Sequence, residues 1–339
     1  MRNYDENHMH GSCLSDAPRL LVIRSGAIGD TIVMSVVYQA LRRHFPRAYL
    51  EVIGPIERLG LINTPGMLDV ITSIDNPDIA TLFSEALPLS DTVISHLRQF
   101  DRILIYSFDR SGELMSRLRN IRPFGVFRFD PFPNHESSEH VTHYLLRTLR
   151  VLGIDAQAEM DITPRVVIDR EAVVEPKTGP LRVAIHPGSG SSSKNWPIEH
   201  FVELCLRLVQ AFSLNISLVV GPAEQTLLQK ISCNLFSISP LKILAQLPLP
   251  ELARELQSCA LYIGNDSGIS HLAAALNIPT IAIFRTSNPA IWRPVGKYVL
   301  VFHEPSADQI YNAAAEYVYN IQDLRDTPLN PLTSMGFSP

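Results

Sequence analysis

Three stretches of this chain hold side chains whose type and spacing suit phosphate and proton chemistry. The first is Gly264-Asn265-Asp266-Ser267-Gly268, with His271 four residues beyond Ser267. A helix starting there puts Ser267 and His271 on one face, and Asp266 or Ser267 can cap its first turn. The free N–H groups and dipole of such a helix start favour an anion. The second is Pro187-Gly188-Ser189-Gly190-Ser191-Ser192-Ser193-Lys194. Small residues there let the backbone approach an anion, hydroxyls add donors and Lys194 adds a charge. It does not match the GxxxxGK[ST] phosphate loop. The third is Ser25-Gly26-Ala27-Ile28-Gly29-Asp30, whose two glycines relieve Cβ clashes and whose Asp30 closes the turn. Each stretch also has a plainer reading: an ordinary βα turn, a Ser-rich surface loop, and an Asp helix cap.

The surrounding periodicity supplies the elements that must position these residues. Leu20 to Arg24 reads as a strand, and Thr31 to Phe45 as a helix with Ile32, Val36, Val37, Ala40 and Leu41 at helical spacing, stopped by Pro46. Strands follow at 49–53, 68–74 and 102–106, with a helix over 79–100 broken near Pro88, a long loop over 123–140 and a helix over 140–152. The pattern restarts with a strand at 181–186, a helix from Pro197 to about Phe212 and a strand at 215–220. Glu224 then opens a helix whose dipole rewards a carboxylate. A helix at 249–258, strands at 261–263 and 278–284 and an amphipathic helix at 307–321 complete the chain. This β/α alternation predicts an α/β protein with doubly wound parallel sheets. In such sheets ligands bind beyond the carboxyl ends of strands, where all three stretches fall.

Composition narrows the options. The chain is 46% hydrophobic and 19% charged over 339 residues, enough for two packed domains. Its net charge of −5 argues against general nucleic-acid binding. No apolar run approaches the roughly 18–20 residues that span a bilayer, and the polar residues 1–17 lack the apolar core of a signal peptide. The four cysteines are scattered, which reads as free thiols in a reducing, cytoplasmic compartment. No carboxylate or histidine cluster shows metal spacing. Between Arg98 and Arg128, seven Arg face three acidic residues, a local net of +4. Either this is a solvated helical face, or it is a surface for an anionic acceptor or lipid headgroups.

The wording of the three stretches resembles one family. GNDSG, HLAAA, FRTSNP and Trp292-Arg293-Pro294 are similar to the donor-binding signature of glycosyltransferase family nine, the lipopolysaccharide heptosyltransferases and their relatives. Arg285 stands where that family usually has Gly, and Ser287 where it has Thr. HPGSG with Lys194, Trp196 and Pro197 resembles the family's second signature, and IRSGAIGDTIVMSVVYQALRRHFP its N-terminal segment. The resemblance covers Leu20 to Tyr319, about nine-tenths of the chain.

That resemblance implies the GT-B architecture, two Rossmann-like domains around a cleft. The expected boundaries are an extension over 1–17, an acceptor domain over 18–165, a linker over 166–180, a donor domain over 181–322 whose last helix returns toward the first domain, and a loose tail over 323–339. It implies inverting, metal-independent transfer with Asp30 as catalytic base and no cofactor. Ser189, Lys194, Glu224, Asp266, Ser267, Gly268, His271 and Ser287 would hold a nucleotide-sugar donor, ADP-heptose in the first instance, with Glu224 on the ribose. Arg110, Arg117 and Arg119 would meet an anionic or lipid-linked glycan at the inner face of the cytoplasmic membrane. Two alternatives stay open: a nucleotide-sugar epimerase of the same fold, and a non-catalytic nucleotide-sugar binder, which Arg285 favours if its bulk closes the donor pocket.

Overall fold

A computed structural model describes residues 14–84, 86–134, 136–155, 161–167, 179–221 and 241–326. Two parallel sheets organise them. The first holds β1 (Arg19–Ile23), β2 (Tyr49–Gly54), β3 (Val70–Ser73), β4 (Arg102–Tyr106) and β5 (Val126–Phe129) in the order β3-β2-β1-β4-β5. The second holds β6 (Leu181–His186), β7 (Leu214–Val220), β8 (Leu241–Ala245), β9 (Leu261–Asn265), β10 (Thr280–Phe284) and β11 (Val299–His303) in the order β11-β10-β9-β6-β7-β8. The central strands are continuous apolar runs because helices cover both faces of a parallel sheet; Leu20 to Val22 and Val183 to Ile185 are fully buried.

The strand orders fix where a ligand can sit. In the first sheet the chain winds from β1 to β2 and β3 on one side, then crosses to β4 and β5 on the other. The switch therefore lies between β1 and β4, which pair directly, Ile23 beside Ile105. In the second sheet it lies between β6 and β9, with His186 beside Gly264. The crevice of a doubly wound sheet opens at the carboxyl ends of such a strand pair.

The helices are α1 (Ile28–His44), α2 (Ile56–Gly60), α3 (Pro77–Ala80), α4 (Asp91–Leu97), α5 (Glu113–Ile121), α6 (Val141–Thr148), α7 (Ile198–Ala211), α8 (Leu249–Gln257), α9 (Gly268–Ala275), α10 (Pro289–Trp292) and α11 (Ala307–Asp326). Helix α1 packs on α9 and on α6. One apolar cluster accordingly runs from Leu20 and Val36 through Leu272 and Tyr262, joining the two halves. Residues 161–167 lie back along the first half, where Gln39 donates to the Thr163 carbonyl and the Val167 N–H to that of Leu61. Helix α11 packs on α7, and its Ile310, Ala314 and Val318 are buried in the second sheet's core. Over these residues it stays with the second half, and it runs past the expected end at Ile321 to Asp326.

Several elements differ from the sequence reading. The helix expected over 79–100 is broken near Pro88 as expected, but less of it is helical: before the break only α3 and a 3-10 turn at Thr81–Phe83 form, and after it α4 runs from Asp91 to Leu97, capped by Ser90 through the Val93 N–H. The loop expected over 123–140 contains β5, and the loop after Phe284 contains α10. Strands β8 and β11 were not read at all. Glu224 and most of the expected linker lie outside the described residues, as does the tail beyond Asp326.

Candidate active site

The turn after β1 brings Asp30 into the cleft. Ala27 precedes α1 and has no side chain to cap it, so the first turn is closed from within: Asp30 Oδ2 accepts the Ala27 N–H at 2.8 Å. The carboxylate therefore lies at the positive end of a 17-residue helix, where the dipole favours its charge. Gly26 passes directly over it; a Cβ there would come within 2.7 Å of the Asp30 Cβ. Arg24, which ends the apolar β1, lies beneath it with Nη2 at 3.8 Å from Oδ1.

Arg24 is only 4% exposed, and its Nη1 donates to the Pro131 carbonyl at 3.0 Å. Its Nε and Nη2 find no hydrogen-bond partner among the described residues. Burial lowers its pKa and the charge of Asp30 opposes that shift. Sequence reasoning passed over this residue. Its one signal was a cation at the end of a buried strand, immediately before the Ser-Gly turn.

The turn after β9 meets the first turn head to head. Ser267 caps α9 by accepting the Ser270 N–H. A Cβ on Gly268 would lie 2.8 Å from Gly29 N and 2.9 Å from Ile28 Cβ, and one on Gly29 would lie 3.3 Å from both Gly268 Cα and His271 Cδ2. Glycine at both positions is what allows the starts of α1 and α9 to touch. Two helix N-termini thus converge where Asp30 and His271 lie.

The turn after β6 closes the other side. Lys194 Nζ donates to Asp266 Oδ2 at 2.8 Å, and Ser287 Oγ donates to the same oxygen at 2.6 Å. Asp266 is buried while the Lys194 side chain is about a third exposed. Asn265 ties the turns together: its Oδ1 accepts the Trp196 N–H and its Nδ2 donates to the Pro187 carbonyl. Behind them a buried polar cluster joins His186 Nδ1 to Ser267 Oγ at 3.2 Å and the Tyr262 hydroxyl to Ser270 Oγ at 3.1 Å. Burial pushes His186 down to about 4, so it is neutral at physiological pH. Burial also lowers His271; the carboxylates of Asp266 and Asp30 draw it back up and Lys194 pushes it further down.

Asp30, Lys194, Asp266, Ser267, Gly268, His271 and Ser287 are therefore brought to one cleft. Ser189 is buried with its hydroxyl at 2.6 Å from both the Ser191 carbonyl and Asn195 Oδ1, so it shapes the loop. Arg285 Nη1 donates to the Asn195 carbonyl at 2.8 Å, which pins the FRTSNP loop to the residue after Lys194. Arg117 is not a free surface charge: it pairs with Glu113 and donates to the Thr81 and Leu87 carbonyls. Arg119 is exposed two residues further along α5, and Arg110 lies at the rim of a cavity beyond β4. Across the cleft His140 Nε2 bonds the Arg293 carbonyl at 2.9 Å. No three acidic, His or Cys side chains among the described residues come together as metal ligands.

Comparison with known proteins points the same way. The family model of glycosyltransferase family 9 (heptosyltransferase) matches residues 142–313, about half the chain. A putative glycosyltransferase of Haemophilus influenzae is 31% identical over 117 residues, which spans 33% of this chain and 34% of that relative. Lipooligosaccharide heptosyltransferase 2 of Campylobacter jejuni is 24% identical over 76% of this chain and 78% of its own. Among solved structures, a glycosyltransferase family 9 protein from Veillonella parvula superposes with a TM-score of 0.72 at 16% identity, covering 90% of this chain and 100% of that one. The ADP-heptose lipopolysaccharide heptosyltransferase II of E. coli gives 0.68 at 16% identity, over 90% and 99%. The two facing parallel sheets are the GT-B architecture of these neighbours.

Proposed function

The chain belongs to glycosyltransferase family 9, and from that premise we propose that it moves heptose from ADP-heptose to an anionic glycan of the lipopolysaccharide core type, by inversion, in the cleft between its sheets. The observation that carries the proposal is the contact of the two glycine turns. Gly29 against Gly268 holds Asp30, from one half, within a single cleft shared with Lys194 and Asp266 of the other. A base and a phosphate site on opposite walls is what a direct displacement at a sugar carbon requires. The naming of a structural neighbour for ADP-heptose supports the donor assignment.

In this reading the acceptor hydroxyl attacks the anomeric carbon while Asp30 takes its proton. The bond from that carbon to the diphosphate oxygen breaks, and the leaving charge falls to the α9 N-terminus and Lys194. Ser287 holds Asp266 in place, leaving Lys194 free to divide its three donors between that carboxylate and the phosphates. The Arg24 guanidinium lies beneath Asp30, 3.8 Å from its Oδ1, and orients the carboxylate from below.

The test is ADP release from ADP-heptose, with and without lipopolysaccharide core acceptor. Release that depends on acceptor, persists in excess EDTA and falls by a factor on the order of 10²–10⁴ in Asp30→Asn is the expected result. Donor isomerisation without acceptor would identify an epimerase instead, and absence of turnover a binding protein.

A further inference from the structure

At the carboxyl end of β4, beside the switch point, lies a cavity of about 290 Å³, lined by Leu82, Phe83, Ser84, Phe108 to Ser111, Glu113 and Leu114. Its volume sits at the low end for small-molecule sites. Its walls are fixed from outside. Asp109 accepts the Leu114 and Met115 N–H groups at the start of α5. Arg117 bridges Glu113 on α5 to the Thr81 carbonyl of the opposite wall. Arg128 Nη1 donates to the Ser107 carbonyl at the head of the loop. The cavity is thus built before any ligand arrives.

Its lining mixes apolar faces with polar edges. Phe108 is 58% exposed and Phe83 is 42% exposed, so both rings are open to a ligand in the cavity. Ser84, Ser111 and Glu113 offer donors and acceptors around them. Arg110 at the rim has no ion pair or side-chain hydrogen bond among the described residues.

An aromatic path connects this cavity to the cleft. Phe108 meets Phe132 edge-on at 6.2 Å between ring centroids, and Phe132 meets Trp292 of the opposite half at 5.1 Å. The Arg24 guanidinium lies 5.4 Å from the centre of the Phe132 ring and 3.8 Å from Asp30. Phe132 thus stands between Phe108 and the buried Arg24 that underlies Asp30, so the cavity and the base lie on the same side of the first sheet's carboxyl edge.

A pyranose has the matching chemistry: a face of C–H groups for the negative face of an aromatic ring, and an edge of hydroxyls that both donate and accept. We propose that the cavity and aromatic path form a remote subsite for the acceptor glycan, in which a sugar unit removed from the attacked one stacks on Phe108 and its phosphate substituent pairs with Arg110. The proposal rests on the transferase reading for the role of its ligand. It differs in its evidence, since binding of glycan can be measured without turnover.

The experiment is calorimetry with a deacylated, water-soluble lipopolysaccharide core oligosaccharide, used intact and after enzymatic dephosphorylation, with ADP titrated separately. Both target side chains are exposed, so their replacement leaves the fold intact. Phe108→Ala should raise Kd for both glycans by about tenfold, about 1.4 kcal/mol. Arg110→Gln should raise it by about tenfold for the phosphorylated glycan and leave the dephosphorylated one unchanged, because only the charged group meets the guanidinium. ADP should bind both variants as it binds the wild type. Unchanged glycan affinity in Phe108→Ala overturns the subsite, and so does a wild type that binds neither glycan. An equal loss for both glycans in Arg110→Gln overturns the anionic pairing. Failure of ADP to bind the wild type would overturn the transferase reading, while the glycan titrations would still decide the subsite.

Discussion

Lys194 is engaged before any nucleotide arrives, because its ammonium lies 2.8 Å from the buried carboxylate of Asp266. Removing it therefore has two effects that can be separated. A charged hydrogen bond to a diphosphate is worth about 1.5–3 kcal/mol, so Lys194→Ala should raise the Kd for ADP by roughly ten- to a hundredfold. The same change leaves Asp266 with the Ser287 hydroxyl as its remaining polar partner and should lower the melting temperature. That second loss is moderate, since the lysine is about a third exposed and screened by water. Asp266→Asn added to Lys194→Ala should restore the melting temperature without restoring ADP affinity. Restoration of both would mean that the lysine only neutralises a carboxylate. The sequence showed Lys194 and Asp266 as separate candidates, 72 residues apart, but not that they pair. Arg24 shows the limit more sharply. A cation at a strand end is usually solvated, and only the fold reveals that Pro131 and Phe132 close over this one.

At the scale of elements, the two head-to-head helix starts give the most direct test. Gly268 has no room for a methyl group: a Cβ would press on Gly29 N and Ile28 Cβ, one of them backbone. Overpacking of this kind costs about 1–3 kcal/mol. Gly268→Ala should lower stability by that amount in denaturant melts and reduce turnover by spreading α1 from α9. Gly60→Ala, where nothing lies within 4 Å, should do neither. Equal behaviour of the two variants would show that the glycine contact does not govern the cleft. These turns were legible in the sequence because strand, glycine turn and helix are each strongly coded and both flanking strands are central. The missed strands share the opposite property. β5, β8 and β11 are edge strands, and β8 and β11 have mixed burial with Ile243 and Leu300 exposed. A strand covered on one side only keeps a weak apolar pattern. The break expected near Pro88 is present, and the Ser90 cap restarts the helix at Asp91; what the pattern overstated is the helix before it, which ends at Ala80 and a 3-10 turn.

For the whole molecule, the donor's base is the open quantity that stability can read. One apolar cluster runs through α1 and α9 into both sheets, so the halves should unfold together in one transition. A ligand that binds only the folded form stabilises it by mass action, by about 2.7 kcal/mol at 100 times its Kd. For a chain of this length, with an unfolding entropy of about 2.1 cal/mol/K per residue, that corresponds to a rise in melting temperature of about 4 °C. ADP should produce this rise, and UDP and GDP at the same concentration clearly less. The diphosphate is common to all three, so the helix N-terminus and Lys194 cannot separate them; any difference reports contacts to the base. A larger rise with UDP or GDP would overturn the adenosine assignment and leave family membership and the diphosphate site standing. Equal rises with all three would show that the site holds the diphosphate and ignores the base. Arg285 supplies the comparison variant. Its guanidinium ties the loop after β10 to Asn195, beside Lys194. Arg285→Gly loosens that tie without touching Lys194 or Asp266. If the tie holds the phosphate loop in its binding shape, the ADP-induced rise should shrink in Arg285→Gly. A larger rise would mean that Arg285 obstructs the donor instead.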